Sequence, residues 1–429
     1  MKAFKYRLYP TKTQSEKLDW TLARCCELYN AALQERKEAW NGCRRHPNFY
    51  DPEWRSEHAR DYSISFAQQC RWLTQIRKEI RPDYQHIGSH VLQNVLHRVD
   101  KAFAAFFRRV AAGSTPGYPR YQSKTHYDSL CFPDSAGWKL KENRLRITGL
   151  GTAAPYAVAN EAAASTLRVM PLKGSIKVKL HREIQGTIKT CTIKREGENW
   201  YVVLSASVEA QPRLPYTDLA VGIDLGLLHF ATLSSADTIE NPRYLRRGEK
   251  KLKAVQQALS RKKRGSKRRK KTARQVGKCH RKVRNQRQDF LHQQARSLVD
   301  CYETIVFEDL RPKNMSRRPK PRLGEDGTFL PNGAAAKGGL NKSISDAGWG
   351  AFMRLVCAKA ESAGHTTVLF VNPKKTSQIC SACQKEGPHK DLSERTHTCV
   401  HCGVVLDRDH NAALNILRLG LSLQGTNVS

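Results

Sequence analysis

The chain has 429 residues, enough for two to four domains with buried cores. Its 74 Lys and Arg residues outnumber 39 Asp and Glu residues, which gives a formal net charge of +35 at 39% hydrophobic and 26% charged content. This composition excludes a wholly disordered chain and favours an anionic partner, with nucleic acid ahead of an anionic membrane or an acidic protein.

The sequence gives little support to a membrane protein. Its longest stretch without Asp, Glu, Lys or Arg has 14 residues, 147–160, and contains Gly and Pro, whereas a spanning helix needs about 20 apolar residues. The opening MKAFKYRLYP has no apolar run of the signal-peptide type. We therefore expect a soluble, cytoplasmic protein with no membrane partner.

The hydrophobic pattern of the N-terminal half predicts a strand, a helical region and a β-domain. Residues 2–9 alternate weakly and end at Pro10, as a short strand does. Apolar residues at helical spacing predict three helices, over 15–40, 61–80 and 91–110. Between 128 and 210 the period becomes that of strands, with turns at Gly186 and Gly197, which predicts a small β-domain and suggests a barrel.

Strands and helices interleave in the C-terminal half. The apolar run from Leu219 to Leu233 predicts a strand, and TIVFEDL predicts a second one. The segment 325–340 is rich in Gly, Ala, Asn and Pro and predicts a flexible loop or lid. An apolar helix is expected over 410–418.

The charge is concentrated in one internal segment. Between Arg243 and Arg287 there are 21 Lys and Arg residues against one acid, Glu249, a net charge of +20 in 45 residues. The segment continues into a predicted helical face of Phe290, Leu291, Ala295, Leu298 and Val299.

This basic segment has two interpretations. It could be a solvated surface helix or a nuclear-localisation-type patch, as many charge runs are. Because it is internal and lies between two apolar strands, a groove for a phosphate backbone is the better interpretation. The candidate nucleic-acid contacts are Arg261, Lys262, Lys263, Arg264, Lys267, Arg268, Arg269, Lys270, Lys271, Arg281 and Arg284.

Four of the thirteen cysteines form two CxxC pairs separated by 15 residues, namely Cys380, Cys383, Cys399 and Cys402. In an intracellular chain, such spacing is typical of a tetrahedral Zn²⁺ site rather than of disulfides. Four reduced buried cysteines are the alternative, and His397 and His401 are competing ligands. A shell of four thiolates leaves no position for water, so this zinc is expected to stabilise the fold and take no part in chemistry.

Acidic residues stand at the ends of the apolar segments. Asp224 lies inside an apolar strand, and Glu308 and Asp309 end a second strand, where only one of the two can face Asp224. Asp407 and Asp409 precede the last helix. Together, such acids would hold two Mg²⁺ ions for phosphodiester hydrolysis.

Each acid also has a structural interpretation when it is taken alone. Asp224 could cap a turn before Gly226, Glu308 could pair with the basic helix, and Asp409 could be the N-cap of the last helix. The GIDLG motif around Asp224 also occurs in actin-like ATPases, although such an enzyme would not explain the basic segment.

Several motifs together resemble the TnpB family of insertion-sequence proteins, also labelled OrfB-type transposases with a zinc ribbon, which are similar to compact type V CRISPR effectors. In chain order the motifs are GIDLG, LSRKKRGSKRRKK, HRKVRNQRQDFLHQ, IVFEDL, DAGWGAF, TSQICSAC, CVHCG and DRDHNAALNIL. The likeness is specific over 220–417 and looser through GYPRY and KVKLHREIQG back to KAFKYRLYPTKTQ.

The resemblance implies an α/β multidomain protein with a RuvC-like RNase H fold, an inserted zinc ribbon, an N-terminal helical recognition lobe and a small wedge β-barrel. The implied boundaries are 1–10 for the first wedge strand, 11–124 for the helical recognition domain, 125–215 for the wedge domain, and 216–429 for the nuclease domain with the zinc ribbon at 376–405. The implied function is that of an RNA-guided DNA endonuclease.

The resemblance also assigns roles to residues. It implies Asp224, Glu308 and Asp409 as catalytic ligands of two Mg²⁺ ions, for which Mn²⁺ could substitute, and the four CxxC cysteines as structural zinc ligands. Asp407 precedes the matching position and is left out. Two small departures are Gln384, where the first knuckle usually has Gly, and His410 beside the last acid.

The implied partners are a guide RNA, target double-stranded DNA and the displaced single strand, bound by a monomeric protein near the nucleoid of a prokaryotic cell. Two rival functions use the same scaffold: a nuclease-dead, RNA-guided repressor and a guide-independent transposase. Retention of all three acids weighs against the first rival.

Overall fold

The computed structural model describes residues 1–148, 174–208, 218–388 and 394–425. The chain forms two compact units, Met1–Glu209 and Ala210–Ser429. The boundary at 215/216 that the resemblance implies lies outside the described residues. Among the helices of the described ranges, none is both long and apolar enough to cross a bilayer.

In its described residues the first unit carries four α-helices, α1 Lys12–Arg45, α2 Pro52–His58, α3 Phe66–Gln75 and α4 Ser89–Ala111. Helix α1 begins at a capping box, in which the Thr11 hydroxyl accepts the amide of Gln14 and the Gln14 side chain accepts the amide of Thr11. Helix α3 starts later than predicted, because a second capping box at Ser65 sets its start, and a π-helical turn, Ile76–Ile80, continues it to the predicted end. The three predicted helices are thus confirmed with shifted ends.

The same unit contains a seven-stranded antiparallel sheet in the order β2-β6-β7-β1-β5-β4-β3. Its strands are β1 Lys2–Tyr9, β2 Ser129–Phe132, β3 Trp138–Lys141, β4 Arg144–Ile147, β5 Ile176–Lys179, β6 Thr187–Glu196 and β7 Asn199–Ser207. The predicted strand over 2–9 is confirmed as β1, which lies between β7 and β5.

The sheet must curve almost into a barrel. Its two edge strands, β2 and β3, are consecutive in sequence, and six Cα steps from Phe132 to Trp138 span at most about 22 Å. Seven flat strands would place those edges about 29 Å apart at roughly 4.8 Å per strand. Within the described residues no pairing joins β2 to β3, so the sheet is nearly closed rather than closed.

The second unit contains a mixed five-stranded sheet in the order β10-β9-β8-β11-β14. Its first three strands pair antiparallel, and β8, β11 and β14 run parallel. The strands of this unit are β8 Ala220–Asp224, β9 His229–Leu233, β10 Thr238–Glu240, β11 Thr304–Glu308, β12 Arg322–Leu323, β13 Phe329–Leu330, β14 Thr367–Val371, β15 Thr396–Thr398 and β16 Val405–Asp407. The helices are α5 Tyr244–Ser260, α6 Lys267–Cys301, α7 Pro312–Met315, α8 Ala334–Ala347, α9 Trp349–Ala363 and α10 Arg408–Gly425.

Two predictions for this unit were wrong in detail. The apolar run 219–233 is two strands, because the chain turns at Gly226, whose amide donates to the carbonyl of Phe230 at 3.3 Å. The predicted loop 325–340 is a β12–β13 hairpin followed by helix α8, which starts after Gly333 in a left-handed conformation. The run of alanines after that glycine favours a helix.

Helix α10 lies directly on the sheet backbone at two glycines. A Cβ atom on Gly222 of β8 would come within 3 Å of the Ala413 carbonyl oxygen and the Leu417 amide nitrogen, and one on Gly420 would overlap Val306 of β11. On the opposite face, Ile305 and Phe307 pack in the core formed with α6 and α9. Alternation along the strands therefore gives α10 the face of Gly222 and Val306.

Replacing Gly222 with Ala should strongly destabilise the second unit, because neither backbone group of α10 can yield to a methyl group. We expect a loss of about 3 kcal/mol or more in the free energy of unfolding, measured by urea denaturation. Gly277 in the exposed middle of α6 is the matched control, since a Cβ there meets nothing within 4 Å. Gly277→Ala should gain about 0.5–1 kcal/mol; equal effects of the two changes would contradict the close packing.

Candidate functional site

Asp224 and Glu308 lie side by side at the carboxyl ends of two parallel strands. Ile223 of β8 is in register with Phe307 of β11, so the next residues of both strands are neighbours. Glu308 lies two residues after Val306, and Asp224 lies two residues after Gly222. Because residues two apart in a strand share a face, both carboxylates lie on the face that α10 covers. The sequence prediction that only one of Glu308 and Asp309 can face Asp224 follows from this alternation.

The two neighbouring acids of β11 have different surroundings. The Glu308 side chain is buried, and its Oε1 accepts a hydrogen bond from the Thr376 hydroxyl at 2.5 Å. Asp309 is exposed and pairs with Arg311 at 3.4 Å. Among the described residues, the hydrogen-bond partner of Glu308 is therefore the Thr376 hydroxyl and not a cation of the basic helix.

The N-terminus of α10 is capped by Asp407. Its Oδ1 accepts the amide of Asp409 at 2.9 Å and the amide of His410 at 3.0 Å, the contacts of an N-cap residue. The interpretation of Asp409 as the cap is therefore wrong. Its carboxylate stands in the first turn of α10, 3.9 Å from Arg395, and the His410 ring contacts the Ser234 carbonyl oxygen.

The three carboxylates interact electrostatically. Burial, followed by the negative charges of Glu308 and Asp409, raises the pKa of Asp224 from 3.8 to about 8. Burial also raises the pKa of Glu308, against the Thr376 hydrogen bond, and burial and Asp407 raise the pKa of Asp409. A cation bound beside Asp224 would relieve the repulsion that Glu308 and Asp409 exert on it.

The four CxxC cysteines do come together. In the described part of the chain they are the only group of three or more His, Cys, Asp or Glu residues whose ligand atoms all lie within 4.8 Å of one another. The Sγ atoms of Cys380 and Cys402 are 3.7 Å apart, and those of Cys383 and Cys399 are 3.6 Å apart. Four sulfurs at about 2.3 Å from a tetrahedral Zn²⁺ would be separated by roughly 3.8 Å, so the cysteines fit zinc.

The two knuckles use the same backbone turn. Gly403 stands four residues after Cys399 with φ +74°, and Gln384 stands four residues after Cys380 with φ +60°. The departure at Gln384 therefore keeps the turn, at the cost of a left-handed conformation that glycine adopts more easily. The amides of His401 and Cys402 lower the pKa of the Cys399 thiol to about 6, which favours the thiolate that zinc binds.

The basic segment forms a hairpin of α5 and α6. Four predicted apolar contacts of α6 are buried, namely Leu291, Ala295, Leu298 and Val299. The predicted nucleic-acid contacts lie in the turn and along α6, and most of them are exposed. Arg269 differs, because its guanidinium donates to the carbonyls of Leu259 and Lys262 at 2.8 and 2.9 Å and so fixes the turn between the helices.

The α5–α6 hairpin also holds a cleft that the sequence did not indicate. This cavity of about 400 Å³ is lined, among the described residues, by four cations, namely Arg247, Lys251, Lys278 and Lys282, together with Tyr244. Because residues from both helices line this cleft, counting charges along the sequence could not distinguish its cations from the rest of the basic segment.

Asp346 of the DAGWGAF motif anchors this hairpin. It is buried, accepts the amide of Leu245 at 3.0 Å and pairs with Arg287 at 3.3 Å. Helix α5 starts after Arg243, whose own side chain makes no capping hydrogen bond, so Asp346 supplies the cap from about 100 residues away.

The sheet, the cysteine knuckles and the cationic hairpin define an α/β protein with a four-cysteine site that fits zinc and a strongly basic segment. A family model described as "Probable transposase" matches residues 203–318, one described as "Cas12f1-like, TNB domain" matches 349–416, and a "Helix-turn-helix domain" model matches 1–45, where the structure has β1 and the single helix α1.

A protein of Streptomyces pristinaespiralis named "Putative RNA-guided DNA endonuclease" is 31% identical over 422 residues, which cover 98% of this chain and 90% of that protein. The Escherichia coli (strain K12) protein "Putative RNA-guided DNA endonuclease InsQ" is 27% identical, with coverage of 98% and 92%. A solved mini-RNA-guided endonuclease, CRISPR-Cas_phi3, aligns at a TM-score of 0.46 and 11% identity over 98% of this chain and 92% of its own. The chain belongs to the TnpB (OrfB) family.

Without added magnesium, the protein should lose stability as the pH rises from about 4 to 8. In that range the folded state keeps a proton on Asp224 that the unfolded chain releases, so each step up in pH favours unfolding. Asp224→Asn should remove on the order of a few kcal/mol of this dependence, seen as a smaller difference between urea unfolding at pH 5 and pH 8. Asp309→Asn, at an exposed neighbour, should leave the difference unchanged; identical behaviour of both variants would refute the coupling.

Cys380→Ser should abolish zinc binding and expose the ribbon to protease, because three thiolates cannot close a tetrahedral structural site. Metal analysis of the purified protein should give about one zinc per chain for the parent and much less for the variant. Cys301→Ser is the control, since this exposed cysteine at the end of α6 is outside the cluster. Full zinc content in the Cys380 variant would contradict the site.

Proposed function

We propose that this protein is an RNA-guided DNA endonuclease whose catalytic carboxylates are Asp224, Glu308 and Asp409. The observation that carries the proposal is that acids from three distant segments lie near one end of the mixed sheet, where burial and then the charges of Glu308 and Asp409 raise the pKa of Asp224 to about 8. The names of the relatives from Streptomyces and Escherichia coli support the reaction class. The five-stranded sheet is compatible with the RuvC-like RNase H fold that the motifs imply.

The donor set fits Mg²⁺, since hard divalent cations prefer carboxylate oxygens and this cluster carries more negative charge than it can stabilise alone. Two Mg²⁺ ions bound there would supply an activated water and stabilise the leaving oxygen of a phosphodiester. The contributions of the chain are positional. Strand ends hold Asp224 and Glu308, and Asp407 caps α10 so that Asp409 is left to bind a cation rather than the helix terminus.

The proposed partners are a guide RNA and target DNA, including the displaced strand. The α5–α6 hairpin would bind phosphates through its exposed cations and the four-cation cleft, because an anionic backbone stabilises closely spaced Lys and Arg side chains. Base pairing with the guide would then supply most of the sequence specificity. The helices and nearly closed sheet of the first unit are proposed as the recognition lobe and the wedge domain.

Asp224→Ala should lower the rate of guide-dependent DNA cleavage by at least about 100-fold, because the change removes a metal ligand. Guided DNA binding should stay intact, because the change removes no nucleic-acid contact. The protein would be purified with its bound RNA, and this RNA would be sequenced. Cleavage would then be measured on a plasmid library that carries the sequence complementary to that guide, with randomised flanks. Asp309→Ala is the matched control and should cleave like the parent, since this exposed acid points away from the cluster.

The rival functions give different results in the same experiment. Guided binding without cleavage by the parent protein would indicate a nuclease-dead repressor. Activity that survives RNase treatment and requires the ends of the element would indicate a guide-independent transposase. Cleavage retained by Asp224→Ala would overturn the assignment of the site.

A further inference from the structure

Glu308 is held by a residue that belongs to the zinc-binding segment. Thr376 stands four residues before Cys380 and is 4% exposed, and its hydroxyl donates to Oε1 of Glu308 at 2.5 Å. A second acceptor, the Pro373 carbonyl, is 3.4 Å away, so the carboxylate is the closer partner. A glutamate at a strand end has three side-chain torsions to fix, and this hydrogen bond fixes one of its two oxygens.

The segment carrying Thr376 is itself attached to α10 by two buried asparagines. The side-chain Nδ2 of Asn415 donates to the carbonyls of Thr376 and Ile379 at 2.9 and 2.7 Å. The side-chain Nδ2 of Asn411 donates to the Ile379 carbonyl at 2.8 Å, and its Oδ1 accepts the backbone amide of Ser381 at 2.9 Å. Both asparagines are at most 1% exposed, so these bonds replace the water that the segment's backbone would otherwise require.

The contacts form one continuous path through the described residues. It runs from the first cysteine knuckle, through segment 376–381, to Glu308 on one side and to the helix of Asp409 on the other. An ordinary buried threonine would satisfy its hydroxyl on a nearby backbone carbonyl. Here the hydroxyl is directed to a carboxylate of the acidic cluster, where it holds one oxygen and leaves the other available to a cation.

We propose that Thr376 is a positioning residue that orients Glu308 for metal binding and links the zinc knuckle to the acidic cluster. This inference rests on the proposed nuclease function, because it assigns Glu308 as a metal ligand. Thr376 is outside the reacting atoms, so its removal affects the affinity for the divalent cation more than the reaction at a saturating cation concentration.

The test compares Thr376→Val, which removes the hydroxyl at nearly constant volume, with Thr376→Ser, which keeps it. Mn²⁺ binding to the full-length protein is measured by the electron paramagnetic resonance of free Mn²⁺, without nucleic acid. We expect Thr376→Val to bind Mn²⁺ about tenfold more weakly, as for loss of one hydrogen bond to a charged group, and Thr376→Ser to remain within about twofold of the parent.

Guided cleavage measured against Mg²⁺ concentration should show the same order, with the Val variant needing about tenfold more Mg²⁺ and approaching the parental rate at saturation. The zinc content should be unchanged in both variants. Thr376→Ala repeats the test without the hydroxyl, should the Val variant fail to fold.

Parental Mn²⁺ affinity in the folded Val or Ala variant would overturn the inference. Loss of zinc together with failure of Ser to restore Mn²⁺ affinity would also overturn it and indicate a structural role alone. Failure of the proposed function is seen separately, as a parent protein that binds Mn²⁺ and shows no guide-dependent cleavage.

Discussion

The second unit depends on the direct packing of helix α10 against the backbone of its sheet. Gly222 allows the helix to approach β8 at Ala413 and Leu417, and Gly420 does the same at β11. This approach decides which face of each strand meets the helix, and strand alternation then carries Asp224 and Glu308 to that face. The acidic residues, the four-cysteine segment that leads into α10 and the asparagine contacts are all arranged around this contact.

Charge is divided between two local environments in the same unit. The α5–α6 hairpin collects cations that are largely hydrated, and its fold is secured by Arg269 at the turn and by Asp346 at the start of α5. The sheet end collects a few acids that are largely shielded from water, where their repulsion is strong. A polyanion is therefore attracted to the first environment, whereas the carboxylates of the second need a cation before they can accept phosphate.

Local patterns in the sequence allowed α1, α3, α4 and α10, the strands β1 and β11, the cysteine pairs and the opposed faces of Glu308 and Asp309 to be predicted, because each depends on spacing over a few residues. The turn at Gly226 was missed because apolar residues continue through it. The distinction between Asp407 as cap and Asp409 as cluster member depends on where α10 begins, to within one residue. Thr376 was missed because its partner lies 68 residues away; Asn411 and Asn415, polar residues four apart in an apolar helix, were the available signal.

The contact between Gly222 and α10 also bears on the order in which the molecule folds. The helical hairpin and the knuckles form from residues close in sequence, whereas β8 and α10 lie roughly 190 residues apart, so their docking carries a large loop-closure cost. Asp409 joins Asp224 and Glu308 only at that late step. A folding chain can therefore acquire its cationic surface, and a bound polyanion, before its acidic cluster is assembled.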